Sequence, residues 1–357
     1  MGTPEAPYPA PYPALYSALA EELTFPLAWG TSPVRDFGRW RATARAKVEE
    51  CLLVPDQDGT PYAPEYAEPS PADGYTRQLV TLSLTRYERV RGALLTPDGP
   101  GPFPAVLLLH DHGARFDIGK EKCVRPWYDG TRLASAQDWA DRHFSGRFPG
   151  DELARRGHVV LCLDAPGWGD RGPITYDRQQ ALAAGFYQLG SSLAGLMARE
   201  DVRAARFLAG LRRVRRVAAV GFSMGAHRAW QTAALTDDVA ACAAVGWMTG
   251  LRAMMTPGHN ALRGQSAYYL FHPGLARHLD FPDVASIAAP RPMLLLNGAL
   301  DPLFPADGVR VAHDKLRAVW RSRHAEERLR VLTWPDLGHV FTDRMQDEVF
   351  RWLDSVL

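Results

Sequence analysis

The stretch VAAVGFSMGAHRAW, residues 217–230, decides the fold that we predict. It opens with the apolar run VAAV, typical of a buried strand, and continues into a segment with helical composition. Between the two lies GFSMG, a G-x-S-x-G motif at a strand-to-helix turn. Such a turn exposes the serine on a strained backbone, and the two flanking glycines let strand and helix approach closely. Ser223 is therefore the candidate nucleophile.

Apolar strands alternate with helices on both sides of this turn. Several strands are apolar throughout, as expected where helices cover both faces of a sheet. We predict an α/β fold, a mostly parallel, doubly wound sheet with helices on both faces. The strands are predicted at 105–110, 159–164, 217–221, 240–246, 293–298 and 328–334, and a last helix at 342–357. Two earlier runs, 78–84 and 87–95, are predicted to open the sheet as antiparallel strands together with the run PAVLLLH.

Two further strands end on residues that complete a nucleophilic site. Enzymes with this turn place the acid and then the histidine after the serine along the chain. The strand PMLLLNG leads to Asp301, and the strand RLRVLTW leads to His339 just before the last helix. His339 would take the proton from Ser223, and Asp301 would orient the imidazole. Alternative acids are Asp307 and Asp336.

The tetrahedral intermediate of such a reaction needs preorganised N–H donors. We predict the backbone N–H of Met224 and that of His112, which lies in the sequence HDHG after the strand at 105–110. Three histidines near one edge leave a zinc site of His110, His112 and His339 as an alternative. The serine site already explains these residues and no H-E-x-x-H pattern exists, so we do not expect a metal at this edge.

Two long segments leave the predicted sheet at the same edge. They span about 114–150 and 247–286, and long connections in a compact domain are often functional. We predict that they form a lid over the substrate, with Trp127, Trp247, His110 and Arg252 as candidate substrate-binding residues. Aromatic faces mixed with polar donors would suit a sugar or another polar ester. The alternative is that these aromatic side chains only anchor the segments.

The composition restricts the partners and the setting. The 357 residues carry a formal net charge of +1, which gives no reason to expect nucleic acid or an anionic membrane as partner. No run reaches about 18 apolar residues, and no signal peptide is recognisable, so we expect a cytoplasmic protein. The four cysteines lack metal-site or redox spacing. We predict an N-terminal wrapping extension, 1–75, and a catalytic domain, 76–357.

The chain resembles the dienelactone hydrolase and acetyl xylan esterase-like branch of the α/β-hydrolases over roughly 76–357. The resemblance rests on LLLHDHGARFDIGKEK, LDAPGWGDR, GFSMGAHRAW, LDFPDVASIAAPRPMLLLNGALDPLFP and DLGHVF. It implies the α/β-hydrolase fold, esterase or deacetylase activity, no cofactor, and the serine, aspartate and histidine named above. Dienelactone hydrolases proper use a cysteine nucleophile, whereas this chain has Ser223.

These observations favour a serine carboxylic-ester hydrolase that forms an acyl-enzyme on Ser223, with acetyl or methyl esters of carbohydrates as candidate substrates. Esters and amides share this mechanism, so a serine peptidase or amidase on the same fold is an alternative. A non-catalytic binding protein of the same fold is the third hypothesis. It would be expected to lack one of the three residues, and all three are present in the sequence.

Overall fold

A computed structural model describes residues 14–56, 59–255 and 269–357. Within these ranges ten strands form one sheet. They are β1 (Glu65–Tyr66), β2 (Ser70–Pro71), β3 (Tyr75–Ser83), β4 (Arg89–Pro97), β5 (Phe103–Leu109), β6 (Val159–Leu163), β7 (Val214–Phe222), β8 (Val239–Val245), β9 (Met293–Gly298) and β10 (Leu329–Trp334).

Eleven α-helices accompany the sheet in the same ranges. They are α1 (Ala14–Glu21), α2 (Phe37–Cys51), α3 (Gly130–His143), α4 (Pro149–Arg155), α5 (Tyr176–Gln188), α6 (Leu193–Ala209), α7 (Met224–Leu235), α8 (Leu251–Met254), α9 (Phe281–Ser286), α10 (Ala306–Ser322) and α11 (Asp343–Val356). None of the helices described combines the length and apolar character that crossing a membrane would require.

The strand order is β1-β3-β4-β6-β5-β7-β8-β9-β10, and β2 pairs with β3. The pairs from β6 to β10 are parallel, whereas β3–β4 and β4–β6 are antiparallel. The mostly parallel sheet is as predicted, but the predicted antiparallel opening is wrong at its third strand. β5 runs opposite to β4 without pairing with it, because β6 lies between the two and hydrogen-bonds to both.

Successive residues of the central strands point to opposite faces of the sheet, as the pleat requires. Leu107 and Leu109 pack into one core, with α6 and α7, and Val106 and Leu108 into the other, with α4 and α11. Both faces are therefore covered, which explains why these strands are apolar throughout.

The predicted N-terminal extension, 1–75, contributes elements that pack against the predicted catalytic domain and extend its sheet. α2 packs against α7 and α9, and the short strands β1 and β2 add to β3, so part of 1–75 belongs to the sheet itself.

Asp is a common N-cap residue, and the sequence predicts that Asp151 caps a short helix ending at Gly157; the structure differs in where this helix begins. Asp151 lies within α4, whose N-cap is Phe148, and its carboxylate accepts hydrogen bonds from the Tyr75 hydroxyl and the Arg125 N–H.

Candidate active site

Ser223 lies at the turn between β7 and α7 with φ of 55° and ψ of −122°, a conformation that non-glycine residues rarely adopt. Its N–H donates to the Val245 carbonyl at 2.8 Å. A Cβ on Gly221 would lie 2.2 Å from the Gly225 carbonyl, and one on Gly225 only 1.9 Å from the Leu109 oxygen. The two glycines of the motif are therefore needed to bring strand, turn and helix this close.

His339 joins Ser223 to Asp301 through two hydrogen bonds. Nε2 of His339 lies 2.8 Å from the serine Oγ, and Nδ1 lies 2.6 Å from Oδ2 of Asp301. The second aspartate oxygen accepts from the Leu303 N–H at 2.9 Å. A carboxylate facing Nδ1 favours the tautomer with the proton there, which leaves Nε2 free to accept the serine proton.

The sheet explains why these residues meet. β9 and β10 are parallel neighbours, so the turns that follow them lie at the same edge. A Cβ on Gly298 would lie 2.3 Å from the carbonyl oxygens of Leu337 and Gly338, so the two turns pack directly on each other. The imidazole of His339 is further held by the ring of Phe222, 4.8 Å away between centroids.

The alternative acids lie elsewhere. Asp336 is exposed and pairs with Arg344 at 2.9 Å. Asp307 lies in the first turn of α10, where it is 95% exposed. The structure thus brings Asp301, and neither alternative, to the histidine.

The two predicted oxyanion donors lie on adjoining pieces of backbone. Met224 is the first residue of α7, so its N–H is one of those that a helix leaves without an intrahelical partner. The chain just before His112 passes close to this helix end, because a Cβ on Gly225 would lie 3.0 Å from the His110 oxygen. The arrangement is compatible with both donors, whose role remains a prediction.

The His112 side chain is engaged in structural hydrogen bonds. Nε2 lies 2.7 Å from Oε1 of Gln179, and Nδ1 accepts from the Ala114 N–H at 2.9 Å. Burial lowers the pKa of His112 to about 3. The imidazole is therefore neutral near pH 7, and any influence of its ring on the shape of the pocket is steric rather than acid–base.

His110 is not placed to contact a substrate, contrary to our prediction. It is fully buried, with Nδ1 2.8 Å from the Asp111 carbonyl, and Nε2 accepts from the Ala165 N–H at 3.0 Å. The ring nitrogens of His110, His112 and His339 all have partners within the protein. Among the described residues, no three His, Cys, Asp or Glu side chains gather in a way that could hold a metal ion.

Trp127 and Arg252, two other residues predicted to bind substrate, instead make contacts that hold the chain in place. Trp127 packs on Tyr128 and under Arg77 of β3, four strands from β7, or roughly 19 Å across the sheet. Arg252 donates to the carbonyls of Glu21 and Leu23 and so fastens the chain after α1. These contacts argue against substrate binding by Trp127 and Arg252.

Trp247 is almost fully buried in an aromatic cluster. Its ring lies 4.7 Å from that of His227, 5.0 Å from Phe281 and 5.4 Å from Phe304, which in turn lies 6.0 Å from His339. Trp247 therefore packs against a residue that lies next to His339. This agrees with the alternative in which the aromatic side chains anchor their segment and do not bind the substrate. Of the second predicted lid segment, residues 256–268 lie outside the described residues.

Sequence reasoning missed several side chains around the His112 loop. Lys122 and Asp111 are buried beneath it, Trp139 donates from Nε1 to Oδ1 of Asp111 at 3.2 Å, and Tyr269 lies 4.7 Å from the His112 ring. Asp111 belongs to the HDHG stretch and Lys122 to GKEK, both inside the sequence LLLHDHGARFDIGKEK that carries the resemblance, but neither position indicates what the side chain contacts.

Comparison with known proteins supports the architecture. No protein-family model matches the chain. It is 29% identical over 286 residues to YtaP of Bacillus subtilis (strain 168), which carries a provisional hydrolase name; the match spans 78% of this chain and 88% of that protein.

Two solved structures extend this similarity to three dimensions. A provisionally named acetyl xylan esterase from Bacteroides fragilis NCTC 9343 superposes with a TM-score of 0.73 at 18% identity, covering 96% of this chain and 94% of its own. A glucuronoyl esterase from Solibacter usitatus gives 0.64 at 14% identity, covering 93% and 97%. The chain has the α/β-hydrolase fold.

Proposed function

We propose that the chain is a serine carboxylic-ester hydrolase. The observation that carries the proposal is the hydrogen-bonded series from Ser223 through His339 to Asp301 at the strained turn before α7. A serine hydroxyl is a weak nucleophile unless a base is within hydrogen-bonding reach, and here the base is itself oriented by a carboxylate.

The mechanism follows from this geometry. Ser223 attacks the ester carbonyl while His339 takes its proton, and the N–H groups of Met224 and His112 stabilise the oxyanion. His339 then donates the proton to the leaving alcohol, which gives an acyl-enzyme on Ser223. Water, deprotonated by His339, releases the acid and restores the serine. The chemistry is assigned to residues 76–357, and the described part of the preceding chain adds α2 and the strands β1 and β2.

The substrate class that we propose is a carbohydrate ester, acetyl or methyl. Two structural neighbours bear the names acetyl xylan esterase and glucuronoyl esterase, and a third bears the name methylesterase BT1017. Such names describe those proteins. All three names denote esterases, and two of them name a carbohydrate, which agrees with the polar ester expected from the sequence.

The proposal is tested with a fluorophosphonate probe and an ester panel on the full chain. We expect the probe to label the wild type and not Ser223→Ala, which should lose about 10⁴-fold or more in kcat. Ser145→Ala is the matched control, because Ser145 also has a positive φ of 54° but its Oγ accepts from the Asp343 N–H. Labelling and activity should persist in it.

The panel contains p-nitrophenyl acetate, acetylated xylose, a methyl uronate and an aminoacyl p-nitroanilide. Hydrolysis of the esters alone supports the proposal, whereas faster cleavage of the anilide would favour the amidase alternative. A folded wild type that neither reacts with the probe nor hydrolyses any ester would be a non-catalytic protein.

A further inference from the structure

Lys122 is a fully buried lysine directly beneath the loop that carries His112. It ends the short 3₁₀ turn Lys120–Lys122, between β5 and α3. Its Nζ donates to the carbonyl oxygens of Asp111 at 2.9 Å and of His112 at 2.6 Å. One ammonium group therefore holds two consecutive peptide units by their oxygen atoms.

Holding the carbonyls fixes the N–H groups. In a trans peptide the C=O and N–H point in opposite directions, so the N–H groups of His112 and Gly113 point away from Lys122. We propose that Lys122 is a positioning residue for the oxyanion donors, one that orients and polarises the His112 amide without contacting the substrate. This inference rests on the proposed function, because it concerns the transition state of that reaction.

The charge environment supports a role beyond simple packing. The Lys122 ammonium lies 5.2 Å from the ring of Trp139 and 5.8 Å from that of Trp168, and Oδ2 of Asp111 is 3.7 Å away. Burying an ammonium group carries a large desolvation penalty, which one carboxylate at this distance offsets only in part. A positive charge behind the two carbonyls draws electron density from the amides and strengthens them as donors.

The neighbouring Lys120 provides a contrast. It is equally buried, but its Nζ lies 2.7 Å from both Asp164 and Asp170, and its own N–H also donates to Asp164. Both aspartates lie in the turn that follows β6. The Lys120 ammonium makes no hydrogen bond to a carbonyl of the His112 loop. Lys120 therefore serves ion pairing, whereas Lys122, two residues further on, binds the backbone of the His112 loop.

The experiment compares Lys122→Met and Lys122→Gln with the wild type and with Lys120→Met. The readouts are kcat and KM for p-nitrophenyl acetate and the inhibition constant of 2,2,2-trifluoroacetophenone, which forms a tetrahedral adduct with an active serine. Urea unfolding records stability in parallel. Trp168→Phe is added because the Trp168 Nε1–H also donates to the His112 carbonyl, at 3.2 Å.

We expect Lys122→Met to lower kcat at least tenfold and to raise the inhibition constant of the ketone at least tenfold, with KM changed less than threefold. Lys122→Gln should change both quantities less. Trp168→Phe should raise the inhibition constant of the ketone two- to threefold, because it removes another donor to the His112 carbonyl. This variant tests the inference even where the lysine variants do not fold. Lys120→Met should lower stability and leave the ratio of inhibition constant to KM unchanged.

A folded Lys122→Met with wild-type kcat and ketone affinity overturns the inference, as does an equal loss of ketone affinity in Lys120→Met. For variants that do not fold, an unchanged ketone affinity in Trp168→Phe overturns it. A wild type that neither hydrolyses the ester nor binds the ketone would instead reject the proposed function.

Discussion

At the residue scale, the backbone of Ser223 is strained, and its surroundings hold it in that conformation. A non-glycine residue in such a conformation costs on the order of 1–3 kcal/mol and persists only where its surroundings determine it. Here they do, because the Ser223 N–H is bonded to Val245 and the backbone contacts of Gly221 and Gly225 leave the turn no room to relax. The hydroxyl is thereby presented to His339 before any substrate arrives.

Asp301 offers the sharpest residue-scale prediction. In Asp301→Asn the amide can donate to Nδ1, which favours the tautomer with the proton on Nε2, so His339 can no longer accept from Ser223. We expect kcat for p-nitrophenyl acetate to fall about 10⁴-fold, with unfolding in urea little changed. Asp336→Asn, at an exposed ion pair, is the matched control and should keep wild-type kcat. Equal activity of the two variants would remove Asp301 from the mechanism.

The same scale shows what a sequence can supply. Ser223, Asp301 and His339 could be predicted because each follows an apolar strand and their chain order is characteristic. Lys122 could not, because nothing local distinguishes a lysine that lies under two carbonyls from one at the surface. Trp127 and Arg252 misled for the same reason: an aromatic or cationic side chain in a long segment is equally suited to anchoring it.

At the element scale, the strands were predictable where apolar runs are bounded by turns, as in Met293–Gly298. Which strands pair with one another was less predictable. Whether β4 pairs with β5 or with β6 depends on contacts between segments 60 or more residues apart, and the short turn at 98–102 fits either arrangement. Helix α3, inside the segment 114–150, was likewise not predicted, because only Ala136, Trp139 and Ala140 of its 14 residues are buried and the sequence carries little apolar periodicity.

The N-terminal helix α2 is the element whose role is most readily tested. Its Trp40 is 1% exposed, packs against Trp29 and Phe37, and donates from Nε1 to the Leu27 carbonyl at 2.7 Å. We expect Trp40→Ala to lower the free energy of unfolding by about 3–5 kcal/mol, through lost burial and a cavity. Urea unfolding followed by circular dichroism provides the measurement.

Leu15→Ala is the matched control, because Leu15 of α1 is 71% exposed and its truncation should change stability by no more than about 0.5 kcal/mol. Since α2 lies against α7 and α9 rather than at the serine, Trp40→Ala should keep its KM while folded. A stability loss below about 1 kcal/mol would mean that this part of the chain is dispensable to the fold.

At the scale of the whole molecule, burial sets the charge state of many imidazoles. It lowers the pKa of His112 to about 3 and those of His272 and His313 to about 4, and it holds those of His110 and His227 well below the ordinary value. In the unfolded chain each would titrate near 6.5. Between about pH 6.5 and 4 the unfolded state therefore binds more protons, so stability present above pH 6.5 is lost as the pH falls.

Buried carboxyls act in the opposite direction, because burial raises the pKa values of Asp151, Asp164, Glu200 and Asp283. Burial raises the pKa of Asp283 to about 6, so the folded state takes up this proton first and gains stability below that pH. These carboxyls offset part of the effect of the five histidines. From pH 7.5 to 5.5 each histidine costs about 1 kcal/mol, so we expect the free energy of unfolding to fall by a few kcal/mol.

Urea titrations at the two pH values measure this difference directly. His313→Gln should reduce it by about 1 kcal/mol, because one buried imidazole no longer differs in protonation between folded and unfolded chains. Val311→Ala, which truncates an exposed side chain of the same helix α10 without changing any titratable group, should leave it unchanged. Equal free energies of unfolding at pH 7.5 and 5.5 would contradict the assignment of neutral, desolvated histidines, and with it the interpretation of the His112 side chain as a neutral structural group beside the oxyanion donors.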